Sequence, residues 1–144
     1  MTIKIYNILP KEAMDIRVKV FVLEQGFTDE EDEIDRAAHH ILAYDGEQAI
    51  GVCRLFKDDG GKGYILGRLA VLKEYRGTGV GKALISASEG LARSLGGDRL
   101  RLHSQCHAEG FYIALGYSRA SEVEYEQGKP HIWLQRRLEA SADA

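Results

Sequence analysis

The chain of 144 residues suits one domain over residues 1–144, because a split would leave two units too small to stabilise easily. Apolar residues make up 44% and charged residues 28%, which excludes collagen-like, coiled-coil and wholly disordered chains. Nineteen Lys and Arg against 22 Asp and Glu give a formal net charge of -3, so we expect no nucleic-acid partner.

The sequence predicts no membrane span and no secretion signal. No apolar run approaches the roughly 20 residues of a membrane helix, and the first six residues alternate polar and apolar side chains like a strand. The two cysteines, Cys53 and Cys106, are too few for a disulfide scaffold or a four-ligand zinc site. We therefore expect a cytoplasmic, reduced protein with no metal and no membrane partner.

The first half of the chain predicts a helix among strands. A strand over residues 2–9 precedes Pro10, which can open a helix with one apolar face. The acidic run 29–35 carries six acids, and we expect a solvated loop or frayed turn there; attraction of a cationic amine is the alternative. Further strands are predicted over 40–44, 49–56 and 64–72, the first two joined by the hairpin signal Asp45-Gly46.

The second half predicts a strand-helix-strand unit followed by a short helix and two closing strands. After the glycine-rich turn, apolar residues recur every three or four positions, and Gly96-Gly97 ends the helix. The strands on either side of this helix should be parallel, with a right-handed crossover. The later elements are predicted at 100–104, 107–115, 118–125 and 131–138, with a frayed tail at 141–144. Together these elements predict an α/β or mixed α+β fold around a central twisted sheet.

The strongest chemical signal is the glycine-rich turn Arg76–Gly81 before the long helix. Amides at a helix N-terminus favour an anion, glycines allow its close approach, and Arg76 can add a charged contact. Dinucleotide spacing fails because Lys82 occupies the third glycine position, and P-loop spacing fails because Arg76 occupies the first. The pattern R-x-x-G-x-G resembles the pyrophosphate loop of the GNAT N-acetyltransferases, and a turn that only permits tight helix packing is the alternative.

Other segments extend this resemblance over nearly the whole chain. Residues 108–117 are similar to the A-x-x-F-Y-x-x-x-G-[FY] segment of the GNAT family. Residues 17–26, the acidic run with His40 after it, and residues 128–132 resemble the ElaA-like and YjcF-like branch. The resemblance implies a GNAT-like central twisted mixed sheet of about six to seven strands. About four helices would flank this sheet, with a parallel strand pair around a coenzyme A (CoA) site.

The resemblance also implies an activity. It implies direct transfer of an acetyl group from the cosubstrate acetyl-CoA to a primary amine of a small molecule or peptide. A non-catalytic CoA-binding sensor and an unrelated enzyme that binds another phosphate ligand are the alternatives. We expect a monomer or a homodimer, because an exposed edge among the closing strands can support pairing of two copies.

The family's site residues carry over by position. Tyr112 matches the general acid that protonates the departing thiolate. Backbone groups of one strand would pair with the pantetheine arm, and the glycine-rich turn would hold the pyrophosphate. Gln105 stands where many members carry Asn. The implied CoA-binding residues are Leu69, Ala70, Val71, Arg76, Gly77, Thr78, Gly79, Val80, Gly81 and Gln105.

A base or a water chain must also remove a proton from the acceptor, because an alkylammonium cannot attack a thioester. The candidate bases or substrate contacts are Glu24, His40 and His103, with His131 as a further candidate base. His103 lies near the end of the strand before the expected cleft, whereas Glu24 and His40 belong to the branch motifs. Cys106 is also near the expected thioester, and packing rather than covalent catalysis is the favoured interpretation for it.

Overall fold

The computed structural model describes residues 1–139, which form a mixed sheet of eight strands with four α-helices. The strands are β1 (Thr2–Tyr6), β2 (His39–Asp45), β3 (Gln48–Lys57), β4 (Gly63–Val71), β5 (Arg99–Gln105), β6 (Ser118–Arg119), β7 (Glu124–Glu126) and β8 (Lys129–Arg137). The helices are α1 (Lys11–Arg17), α2 (Glu33–Ala37), α3 (Val80–Ser94) and α4 (Glu109–Ala114).

The predicted mixed α/β fold is confirmed. The strand count exceeds six to seven because the segment predicted at 118–125 divides into β6 and β7, and the predicted tail 141–144 lies outside the described residues.

The sheet order is β1-β2-β3-β4-β5-β8-β6, and β7 also pairs with β8. The predicted parallel arrangement of β4 and β5 around α3 is confirmed, but their pairing extends only from Gly63 opposite Arg99 to Leu66 opposite Leu102. Beyond that point β4 pairs only with β3, and β5 pairs only with β8. The two parallel strands therefore separate into a wedge with unpaired facing edges.

A backbone irregularity in β4 lies just past the last pair. Arg68 has a φ of +52°, a conformation that non-glycine residues rarely adopt, and the register with β3 shifts at this place. Such a bulge bends the strand and interrupts its ladder. The bulge turns β4 away from β5 and so contributes to the wedge.

Apolar cores cover both faces of the sheet. Leu84 and Ile85 of α3 pack with Leu102 of β5 on one face, and Ile16 of α1 packs with Val52 of β3 on the other. Removing these side chains from water supplies the main stabilisation of both layers. The wedge thus lies between two packed helical layers.

The N-terminal turn of α3 lies very close to the sheet. A Cβ atom added to Gly51 of β3 would lie 2.9 Å from Val80 Cγ1 and 3.0 Å from Leu84 Cδ1. Only glycine allows this approach without displacing the helix. The N-terminus of α3 is therefore held near the end of β4, where the glycine-rich turn begins.

The predicted N-terminal helix has two parts. After α1 the chain continues as a π-helical segment, Val18–Glu24, whose wider turns coincide with the β-branched residues of this stretch. The backbone amide of Gln25 donates to the Val20 carbonyl oxygen across five residues, at 3.2 Å. Gln25 follows directly and lies at the wedge.

The expectation that the acidic run is solvated is wrong for two of its acids, Asp29 and Asp35. The side chains of Asp29 and Asp35 are only 2% and 0% exposed. Their partners are three arginines from three different elements: Arg17 of α1, Arg54 of β3 and Arg68 of β4. Burial of a carboxylate requires such charge partners, and their long distance in sequence hid the network from local reasoning.

Candidate active site

A cleft of about 390 Å³ opens where β4 and β5 separate, and side chains from both faces of the sheet line it. Leu102 and Ile132 belong to the core beneath α3 and α4. Side chains alternate between faces along a strand, so the neighbouring His103 and His131 point to the opposite face. Tyr112 of α4 lines the cleft from the first face. Side chains from the two faces therefore border the same cleft.

Tyr112 has the environment of a proton donor. It is 8% exposed and contacts Phe111 and Tyr117 edge-to-face, with ring centroids 5.2 and 6.1 Å away. Burial, with a smaller contribution from Cys53, raises the pKa of the Tyr112 hydroxyl above its usual range. A tyrosine hydroxyl is protonated at neutral pH, and this residue lines the cleft.

Most of the predicted CoA-binding residues follow one another along β4 and the turn to α3, beside the wedge. Leu69, Ala70 and Val71 belong to the β4 segment whose edge toward β5 is unpaired. The turn after β4 has left-handed glycines, with φ of +76° at Gly77 and +91° at Gly79. A Cβ atom at either glycine would meet no atom within 4 Å, so the turn presents open backbone surface at the N-terminus of α3. These features suit a ligand with an amide-containing arm and a pyrophosphate.

The remaining members of the predicted phosphate turn surround the start of α3. Thr78 precedes the helix, and Val80 and Gly81 are its first two residues. Val80 is buried against the sheet, while Gly81 lies close to Phe111 of α4, with its built Cβ position 3.5 Å from the ring. The first turn of α3 is thereby fixed by packing on two sides.

Arg76 connects the phosphate turn to two other elements. Its Nε donates to the Val71 carbonyl oxygen at 3.0 Å, and its Nη2 contacts the Glu24 carboxylate at 2.9 Å. Glu24 therefore lies at the turn as an ion-pair partner and is not among the residues that line the cleft. The structure does not bring this candidate base to the wedge.

His40 is also away from the cleft. It is fully buried, and its Nε2 donates to the Asp35 carbonyl oxygen at 2.8 Å. A branch motif made His40 a candidate, but in the sheet β2 lies two strands from the wedge. The geometry supports a structural role for His40 and no contact with a reacting amine.

His103 does line the cleft, together with groups that the sequence did not single out. His103 Nδ1 lies 3.2 Å from Glu126 Oε2, and its ring lies between those of His131 and Trp133. Glu126 carried no sequence signal, because only the closing hairpin brings it there. His131, a candidate base, lines the same wall.

Gln105 makes a contact across the wedge. Its Nε2 donates to Gln25 Oε1 at 2.8 Å, which connects β5 to the residue after the π-helical segment. The Gln25 carbonyl oxygen in turn accepts a hydrogen bond from Lys129 Nζ. Gln25 was missed as a site residue, although it follows Glu24 within a motif that the sequence singled out.

Two other expectations concern cysteine and metal chemistry. Cys106 lies half-buried in a 3-10 turn and is not among the residues that line the cleft. Residues 1–139 contain no group of three or more His, Cys, Asp or Glu side chains arranged to hold a metal ion. In the same range, no helix has the length and hydrophobicity needed to cross a membrane.

The splayed parallel strand pair and the glycine-rich turn at the N-terminus of α3 are features that the resemblance to acyltransferases implied. The sequence profile of the acetyltransferase (GNAT) domain matches residues 11–138. The chain belongs to the GNAT acetyltransferase family.

Individual relatives agree with this assignment. The chain is 38% identical over 130 residues to YjcF of Bacillus subtilis, described as an uncharacterized N-acetyltransferase, covering 88% of this chain and 91% of the relative. The crystal structure of ElaA from Escherichia coli superposes with a TM-score of 0.81 at 27% identity, covering 94% of this chain and 99% of ElaA. An aminoglycoside 6'-N-acetyltransferase in complex with coenzyme A shares the fold, with a TM-score of 0.78 at 19% identity and coverage of 99% and 100%. The family and the ElaA- and YjcF-like resemblance are confirmed.

Proposed function

We propose that this protein transfers an acetyl group from acetyl-CoA directly to a primary amine of a small molecule or peptide. The observation that carries this proposal is the wedge beyond Leu66 and Leu102, where β4 and β5 present unpaired backbone to a cleft. Free amides and carbonyls on a strand edge can pair with a further strand. The amide-containing pantetheine arm supplies such a strand.

The adjoining surfaces fit the rest of the cosubstrate. The pyrophosphate would accept hydrogen bonds from amides of residues 76–81 at the N-terminus of the 15-residue helix α3. Arg76 adds a guanidinium next to this turn. This placement directs the thioester end of the arm along β4 into the cleft that Tyr112 lines.

Alignment of the two substrates supplies most of the expected acceleration. The amine nitrogen attacks the thioester carbonyl carbon, a C–N bond forms and the C–S bond breaks. The leaving sulfur takes its proton from the Tyr112 hydroxyl, which is protonated at neutral pH. The nitrogen loses two protons overall if it starts as an ammonium, so one net proton is released for each acetyl group transferred.

The test is an acetyl-transfer assay with a panel of primary amines, together with calorimetric binding of CoA, acetyl-CoA, NAD and ATP. Wild-type protein should bind both CoA species and acetylate at least one amine. Tyr112→Phe should lower kcat by about 10²-fold or more, as expected for loss of a general acid. CoA affinity should stay unchanged in this variant.

Tyr117→Phe is the matched control. Tyr117 is also a buried tyrosine in this core, but its hydroxyl donates to Glu89 Oε2 at 2.8 Å instead of facing the cleft. This variant should lose stability and keep kcat. CoA binding without acetylation of any amine would support the sensor function instead, and binding of ATP or NAD without CoA would reject both.

A further inference from the structure

One carboxylate of the cleft, that of Glu126, has no role in the acetyl transfer proposed above. Glu126, the last residue of β7, lines the cleft, and within residues 1–139 the polar partners of its carboxylate are two imidazoles, those of His103 and His131. The other carboxylate lining the cleft, Asp29, is paired with Arg17 and Arg68. Within residues 1–139, Glu126 is thus the cleft carboxylate without an arginine or lysine partner. Its charge is available to a cation entering the cleft.

Hydrogen bonds define the neutral form of both imidazoles. His131 Nδ1 lies 2.9 Å from the Lys129 carbonyl oxygen, which can only accept, so Nδ1 carries the proton. His103 Nδ1 lies 3.2 Å from the Glu126 carboxylate and carries the proton for the same reason. In neutral rings, both Nε2 atoms are therefore lone-pair acceptors.

The two Nε2 atoms differ in their access to the cleft. His103 Nε2 is completely buried and has no hydrogen-bond partner in the described residues. His131 Nε2 has no hydrogen bond either, and it lies 3.8 Å from Glu126 Oε2, too far for one. Its side chain is 6% exposed, and the residue lines the cleft. The His131 lone pair is thus directed beside the Glu126 carboxylate.

Stacking prevents these rings from turning. The His103 ring centroid lies 4.9 Å from that of His131 and 4.8 Å from that of Trp133. Arg101 covers the Trp133 ring at 4.7 Å, and Phe27 packs near the His131 ring at 6.0 Å. The column therefore orders both imidazoles before a substrate binds, which lowers the cost of positioning them for proton transfer.

We propose that Glu126 binds the ammonium group of the acceptor and that His131 Nε2 removes its proton, with His103 as a positioning residue that orients Glu126. This inference rests on the proposed function. The acceptor it selects is a primary amine that is protonated in water and reaches the wedge from the face opposite Tyr112. The Glu126 carboxylate and the His131 imidazole both lie on that face, on β7 and β8 respectively.

The proton balance follows from this arrangement. One ammonium proton passes to His131 Nε2, and the freed nitrogen lone pair attacks the thioester carbon. The sulfur gains a proton from Tyr112, and the second proton that leaves the nitrogen as the amide forms passes through solvent to the Tyr112 phenolate. His131 returns its proton to solvent, so one net proton is released. The other titratable or charged groups lining the cleft are Asp29, Arg54, Arg68, His107 and Tyr112. Asp29, Arg54 and Arg68 are held in ion pairs.

Two substitutions separate the two roles. His131→Asn keeps an N–H that can donate to the Lys129 carbonyl oxygen, but it removes the Nε2 base. Its kcat at neutral pH should fall by about 10²-fold or more. The loss should shrink as the pH approaches the pKa of the amine, because free amine then no longer needs the base. A purely structural role for His131 would give no such recovery.

Glu126→Gln should raise KM for the amine by about tenfold, with a smaller effect on kcat, because it removes a charge that binds the ammonium. Glu124→Gln is the control, since Glu124 is an exposed residue of the same strand that does not line the cleft. This control should leave KM and kcat unchanged. CoA affinity, measured separately by calorimetry, should equal that of wild type in all three variants.

The outcomes distinguish this inference from the function on which it rests. If wild type acetylates amines while Glu126→Gln and Glu124→Gln show the same KM, or His131→Asn keeps its kcat at neutral pH, the inference is overturned and the function stands. If His131→Asn does not fold, the comparison of Glu126 with Glu124 decides the inference. If wild type binds CoA but acetylates no amine, the proposed function and this inference both fail.

Discussion

Leu66 lies opposite Leu102 at the last position where β4 and β5 pair, and both side chains are buried beneath α3 and α4. One residue further, the strands share no hydrogen bonds, and Arg68 in left-handed conformation turns β4 away. The buried pair therefore closes the wedge at its base. The separation beyond it creates both the strand edge and the cleft that the proposed reaction requires.

The anion-binding role of the phosphate turn predicts a charge-specific loss of CoA affinity. Gly79 has a left-handed φ of +91° and open surroundings, and both Asn and Asp tolerate this conformation better than other side chains do. Gly79→Asp should weaken CoA binding by about tenfold relative to Gly79→Asn, because only Asp adds an anion beside the pyrophosphate. Isothermal titration calorimetry measures this ratio.

Gly90→Asp controls for charge on the same helix, since an added Cβ at Gly90 in α3 meets no atom within 4 Å. It should bind CoA as wild type does. Equal affinities for the Asn and Asp variants of Gly79 would contradict a pyrophosphate site at this turn.

Glycines in and beneath α3 predict stability changes of opposite sign. Gly51→Ala should lower the free energy of unfolding by about 1–3 kcal/mol, because its Cβ would overlap Val80 and Leu84 of α3. Gly90→Ala should raise it by about 0.5–1 kcal/mol, since alanine favours the helix and the space is open. Urea unfolding of both variants measures these changes. An unchanged free energy of unfolding in Gly51→Ala would show that α3 does not need this close approach.

The buried ion pairs predict a pH-dependent stability. Burial alone would raise the pKa of Asp35, but hydrogen bonds from Arg17 and Arg54 outweigh it and hold that pKa below its usual range. At pH 7, Asp35→Asn should cost about 3 kcal/mol, because it removes the buried carboxylate that Arg17 and Arg54 share and leaves only Asp29 and Asp32 to balance these guanidiniums. The deficit should shrink below about pH 4, where the wild-type unfolded chain takes up a proton before the folded chain does.

Unfolding free energies between pH 7 and pH 3 test this linkage. The control is Asp15→Asn, because Asp15 is 58% exposed and its contact with Lys11 is 3.9 Å long. This variant should change stability little at any pH. A constant deficit for Asp35→Asn over the whole range would contradict the depressed pKa.

The two cysteines should differ in reactivity. Burial raises the pKa of the Cys53 thiol to about 12, only partly offset by its hydrogen bond with Ser88. A thiol reagent should therefore label only Cys106 in the native protein and both residues after denaturation, as peptide mass spectrometry would show. Cys106→Ser should keep acetyl transfer, since Cys106 is not among the residues that line the cleft. Equal native labelling of both residues would reject this prediction.

Local sequence signals predicted much of the fold correctly. The hairpin signal Asp45-Gly46 joins β2 to β3, and the glycine-rich turn opens a helix that ends before Gly96, where φ is +87°. The parallel order of β4 and β5 followed from the intervening helix. These features depend on residues close together in the chain, so turn chemistry and periodicity are sufficient to find them.

The predictions that failed depend on distant residues. The acidic run was expected to be solvated, yet Asp29 meets Arg17 from α1 and Arg68 from β4. Glu24 and His40 were two of the candidate bases or substrate contacts, and the structure places one beside Arg76 and the other inside the protein. Periodicity and motif position cannot show which charges or bases the fold brings together.

The acceptor side of the site shows the same limit. Glu126 reaches His103 only because β7 folds back on β8, and this strand is three residues long. So short a strand has no detectable pattern of its own. The sequence analysis named the glycines and Tyr112 for the proposed donor side and His103 and His131 as candidate bases, whereas Glu126 became visible only in the tertiary structure.

Hydrogen exchange of the β4 amides, with and without CoA, shows whether CoA occupies the wedge. CoA that pairs with the wedge as an added strand should slow exchange of those amides in residues 67–71 that face away from β3. Amides of β1, at the far edge of the sheet, should exchange at an unchanged rate and serve as the internal control. Tight CoA binding with no added protection at residues 67–71 would contradict the claim that the wedge is the site of the thioester.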